Sequence, residues 1–157
     1  MGRYYDGDIH GKFWFAVQSS RDAIHFGGRE ELEDQEAFYY FNADDLDSIN
    51  KGIKEVTEFL GENKALLDKF FDEPRGYNDQ MIADLLGITG TEEQVKMKTL
   101  ANLVAYARLG LGEQIRNCVI ETGECSFSAE LWCGIFFFFY FLVLFLLVCK
   151  VVDPFAV

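Results

Sequence analysis

The residues best suited to chemistry stand at the start of the chain. Asp6, Asp8 and His10 alternate ahead of Gly11, which is how a calcium-binding loop opens. The twelfth position of such a loop supplies a bidentate Glu, and here it is Val17. The fifth position is His10 rather than Asp or Asn, so the stretch predicts a turn rich in Asp and Gly. Ala83 to Thr89 followed by Glu92 to Leu100 has the outline of a helix-turn-helix with Gly87 at its corner. Glu92 and Glu93 would then face the phosphates, and a plain helical corner accounts for the same residues. Cys118, Cys125, Cys133 and Cys149 form no C-x-x-C pair, and His10 and His25 are the two histidines. Zinc ligands are therefore in poor supply, and Cys118 and Cys125 are expected to be free buried thiols. Neither a Gly-rich phosphate loop nor a nucleophile elbow is present. The expectation is a protein that is not an enzyme, with no cofactor, no metal and no small-molecule substrate.

The elements around these residues change character along the chain. Phe13, Phe15 and Val17 alternate with Trp14, Ala16 and Gln18, which predicts a strand over Lys12–Gln18 with both faces apolar. Phe38 to Phe41 predicts a second strand, and Asp6-Gly7 and His10-Gly11 supply turns. Between the strands, Arg21 to Gln35 is polar and reads as a surface excursion with a short helix. After Asn42 the period becomes helical. Asp44 and Asp45 suit a helix start, and Leu46, Ile49, Ile53, Val56, Leu60, Leu67 and Phe70 follow at spacings of three and four. This predicts one long helix, or two broken at Gly61, ended by Pro74 and Gly76, with its seam turned into the core. A short helix follows over Asn78–Leu86. A capping box of Thr91 and Gln94 then opens a stripe running from Val95 to Val119, which Gly110 and Gly112 are expected to bend or interrupt.

Charge divides the chain in two. Residues 1–130 hold 13 of the 14 Lys and Arg and 25 of the 26 Asp and Glu, so the whole net charge of −12 lies there. That sign repels nucleic acid and anionic lipid surfaces, so no nucleic acid is expected as a partner. From Leu131 to Cys149, 19 residues carry no charge. The run holds Leu131, Trp132, Ile135, Phe136, Phe137, Phe138, Phe139, Tyr140, Phe141, Leu142, Val143, Leu144, Phe145, Leu146, Leu147 and Val148, and Lys150 closes it. As a helix it would be about 28 Å long, close to the thickness of a bilayer's hydrocarbon core. Fourteen of the 19 are Leu, Ile, Val or Phe, which favours insertion by roughly 4–8 kcal/mol. Trp132 suits one interface, and Lys150 is long enough to snorkel to the other. A helix buried in a soluble domain would need apolar partners on every side, more than the other 130 residues readily supply. A buried strand pair would need a turn, and no turn signal divides the run.

The reading is therefore α+β: a small N-terminal antiparallel β layer (1–42) packed on three or four helices (43–123), a linker (124–130), and a single C-terminal transmembrane helix (131–152) with a short tail (153–157). With so few residues after the span, insertion after synthesis is expected, as in tail-anchored proteins, leaving the N-terminal domain outside the bilayer. The aromatic strand residues Trp14, Phe38 and Tyr40 are candidate contacts for a partner protein.

The opening residues Met1-Gly2-Arg3-Tyr4-Tyr5-Asp6-Gly7-Asp8-Ile9-His10-Gly11-Lys12-Phe13-Trp14-Phe15-Ala16-Val17-Gln18-Ser19-Ser20 resemble the start of small uncharacterised or minor structural proteins of large icosahedral DNA viruses of algae, chlorovirus-like. The resemblance covers the first 20 to 30 residues and points to no catalytic residue. It implies a place in the virion, between the capsid and the internal membrane, with coat or other minor capsid proteins as partners. The alternative is a tail-anchored cellular adaptor that recruits a basic protein.

Overall fold

The computed structural model describes residues 3–14, 16–72 and 76–131. Five strands form one antiparallel sheet: β1 (Tyr4–Gly7), β2 (Gly11–Lys12), β3 (Arg29–Glu33), β4 (Glu36–Asn42) and β5 (Glu124–Glu130), in the order β2-β1-β5-β4-β3. Four helices, α1 (Leu46–Leu60), α2 (Asn63–Phe71), α3 (Asp79–Leu85) and α4 (Glu92–Thr122), make the second layer, giving an α+β fold. The anchor expected above lies outside the described residues from Trp132 onward. Among the described residues no helix is long and apolar enough to cross a membrane.

β5 is the largest departure from the sequence reading, which took 124–130 as a linker. It is the central strand. Its residues Cys125, Phe127 and Ala129 point into the core and alternate with Glu124, Ser126, Ser128 and Glu130. Small and polar residues hide a strand signal whose partners are remote: Ala129 stands opposite Tyr5 and Ala37, and Phe127 opposite Tyr39. The polar excursion Arg21–Gln35 also contains structure, a 3-10 turn at Asp22–Phe26 and the edge strand β3. Three Glu among the five residues of β3 suit an edge, because charge discourages further strand pairing.

The strand expected over Lys12–Gln18 is two residues long, ending at Lys12. Beyond it Ala16 takes φ 58° and the chain turns back, with the Val17 and Gln18 amides donating to the Trp14 carbonyl. Gln18 fixes the turn, its side-chain oxygen accepting from the Trp14 amide and its Nε2 donating to the Ala107 carbonyl in α4. Asp6-Gly7 belongs to β1 rather than to a turn; the turn is Asp8–His10. There Asp8 accepts from both the amide and the hydroxyl of Ser126, at 2.7 and 2.9 Å.

The helical half follows its periodicity. Asn42 and Asp45 form a capping box ahead of α1, and the seam Ile49, Ile53, Val56 and Leu60 is buried. Gly61, at φ 51°, breaks the run so that α2 folds onto α4, where Asn63 bonds Asn102 and Asp68 accepts from Tyr106. α2 ends at Phe71, and Pro74 lies outside the described residues. The Thr91–Gln94 capping box opens α4 as expected, but Gly110 and Gly112 do not interrupt its 31 residues. Gly112 serves close approach instead. A Cβ there would lie 2.4 Å from the Phe26 ring, which is fully buried. Gly112→Ala is expected to cost about 1–3 kcal/mol by overpacking, read as a lower urea midpoint at unchanged slope. α4 is roughly 46 Å long and β5 roughly 23 Å, so the N-terminal half of the helix runs past the sheet and carries α2 and α3.

Candidate interaction surface

The sheet has one face for the core and one for the outside. Tyr5, Ala37, Tyr39, Phe41, Cys125, Phe127 and Ala129 are buried against α1 and α4. Beneath them, Tyr39 donates to Glu30 at 2.8 Å and to the Ser20 carbonyl at 3.1 Å. Arg21 meets the same Glu30 through two nitrogens. The hydrogen bond from Arg21 holds the Glu30 carboxyl below its usual range, and burial pushes the Tyr39 hydroxyl up. Cys118 and Cys125 are free and buried, and burial, followed by the hydrogen bond with Cys118, raises the Cys125 thiol. A buried thiol held in its protonated form is a poor nucleophile.

The opposite face carries Phe38 and Tyr40 from β4 with Ser126 and Ser128 from β5, all half-buried, and no described helix lies over it. Register places Phe38 between Glu31 and Ser128, and Tyr40 between Arg29 and Ser126. Asp6, Glu31, Glu33, Glu36, Glu124 and Glu130 surround this centre, all exposed, against Lys12 and Arg29. Each of those two cations already lies over a ring. The Arg29 guanidinium sits 4.8 Å from the Tyr40 centroid, and the Lys12 ammonium 5.7 Å from that of Tyr4. Phe38 has no such cover, and a shallow depression beside it is lined by Glu33, Asp34, Gln35 and Glu36.

Of the three candidate contact residues, the structure brings Phe38 and Tyr40 together and places Trp14 elsewhere. Trp14 packs against the helical half, with ring centroids 4.9 Å from Phe71 of α2, 6.0 Å from Tyr106 of α4 and 6.1 Å from Tyr77 in the segment before α3. Sequence reasoning passed over the carboxylates and Arg29 around Phe38. The signal for them was the alternation within Arg29–Glu33 and Glu124–Glu130, which reads as polar sequence until the strands are paired.

The Trp14 cluster offers a pH readout. Burial first, and then the hydrogen bond to Asp68, raise the Tyr106 hydroxyl to about 12. The folded form therefore holds this proton where an unfolded tyrosine, near pH 10, releases it. Stability from this group is complete below pH 10 and is lost as pH rises toward 12. Titration at 295 nm is expected to show a late component that loses one tyrosine's amplitude in Tyr106→Phe, with the remainder left by Tyr39; a late component unchanged in that variant would contradict the bond to Asp68.

Among the described residues no group of three or more metal-ligating side chains comes together. The helix-turn-helix outline is a corner between α3 and α4, bordered by Asp79, Asp84 and Glu92. Compared with protein-family models, with curated proteins and with solved structures, the chain matches none.

Proposed function

We propose that this chain is a membrane-anchored structural linker without enzymatic activity, which holds its α+β domain at a bilayer and presents it to a protein layer. The observation that carries the reading is where the apolar run starts. Leu131 donates its amide to the Gln35 carbonyl at 2.7 Å and packs on the core, so the 19 uncharged residues begin at the end of the central strand. A span that starts there would follow the folded domain directly, which suits a spacer or tie. The resemblance of the opening residues supports a minor capsid protein joining a viral coat to the internal membrane.

The second reading, a tail-anchored cellular adaptor, is favoured by the acidic outer face of the sheet, which suits a basic partner. Cross-linking and mass spectrometry on a membrane-bearing particle separate the two. The linker reading expects dense links from Lys12, Lys51, Lys64 and Lys96 to repeating coat components. Links confined to the chain itself, or to one soluble protein, would contradict it.

A further inference from the structure

We infer that the outer face of the sheet, centred on Phe38 and Tyr40, is the docking surface for a basic partner protein. The inference rests on the anchored, non-enzymatic role that the linker and adaptor readings share, and deepens it by locating the contact and fixing its charge. Three observations argue for this occupant. The face has an aromatic middle and a charged rim, the layout of a protein contact, and no described element covers it. Its rim carries six carboxylates against Lys12 and Arg29, so a second copy of this chain, an anionic lipid surface or a nucleic acid would meet its own sign. The two cations that belong to the face lie over Tyr40 and Tyr4, which shows how its rings receive positive charge. Phe38 offers the next such place to a partner's Arg or Lys: Glu36 lies two residues away on the same face, and Glu31, across the strand pair, meets Arg29 at 3.4 Å through one oxygen.

The test uses the full chain in phosphatidylcholine nanodiscs and a rhodamine-labelled peptide of alternating arginine and threonine, with binding read by anisotropy. The triple variant Glu31→Gln, Glu33→Gln, Glu36→Gln is expected to bind roughly tenfold more weakly, as for the loss of three exposed ion pairs. The variant Glu58→Gln, Glu62→Gln, Glu121→Gln changes the net charge equally on α1, α4 and the turn before α2, and is expected to change affinity less than about twofold. Phe38→Ser, which leaves the charge alone, is expected to weaken binding by about threefold to fivefold with an unchanged unfolding midpoint. Equal losses in the two triple variants would overturn the inference by showing attraction to net charge alone, as would no binding by the parent chain. Failure to enter nanodiscs would count against the anchor, and the peptide would then be titrated against the detergent-solubilised full chain.

Discussion

Replacing Phe138, Phe141 and Leu144 together with Arg is expected to release the chain from vesicles. Each Arg near the centre of a span costs about 2.5–3.5 kcal/mol, so three cost roughly 8–10 kcal/mol. Insertion of the parent segment is favoured by roughly 4–8 kcal/mol, less than that penalty. In a flotation gradient the parent chain is expected almost entirely in the lipid fraction, and the variant at under about a tenth of that amount. Net charge moves from −12 toward −9, which would strengthen any purely electrostatic attraction to anionic lipid. A fall in flotation therefore identifies hydrophobic insertion as the cause, whereas undiminished flotation would mean that another part of the chain holds the membrane.

The second large effect is expected inside the domain. Asp22 opens the 3-10 turn that carries Phe26 into the core, and it pairs with Arg108 of α4 at 2.9 Å. Its side chain is 4% exposed and that of Arg108 28%, so the pair is sheltered on one side and wetted on the other. The second Asp22 oxygen and the Arg108 Nε lack protein partners, so this contact is already incompletely satisfied. Asp22→Ala would strand the guanidinium beside the core. Losing one partner of a fully buried pair costs about 3–5 kcal/mol, and partial exposure reduces the expectation to about 2–4 kcal/mol. Urea unfolding measures it. Asp22→Ala with Arg108→Leu is expected to lose less than Asp22→Ala alone, since no charge is then abandoned. A double variant that loses the sum of the two single losses would show that the residues act independently.

What could be read in the sequence was local. The Thr91–Gln94 box and the buried seam of α1 each depend on residues within about four positions of one another and appear where periodicity and capping put them, while the break at Gly61 decides between the one long helix and the two helices that the sequence left open. The aromatic strand β4 was legible for the same reason. β5 was not, because a central strand is defined by remote pairings, here Asp6 with Ser128 and Phe38 with Ser128. Its inward residues Cys125 and Ala129 are too small to announce a core. Trp14 was grouped with Phe38 and Tyr40 on composition, and the reversal at Ala16 carries it to Phe71 and Tyr106 instead. The site was thus half legible: its rings could be named, but the carboxylates that give it a sign became visible only once β3, β4 and β5 lay side by side.

The proposed anchor requires the run from Leu131 to Cys149 to cross a bilayer while residues before it remain outside. Protease protection measures this on the full chain inserted into sealed vesicles, digested from outside and analysed by mass spectrometry. Peptides from the α+β domain are expected to be released in full, and a lipid-protected fragment containing Phe136–Val148 is expected to remain. Release of that segment along with the domain would rule out the span, because a segment reached by protease is not within the bilayer.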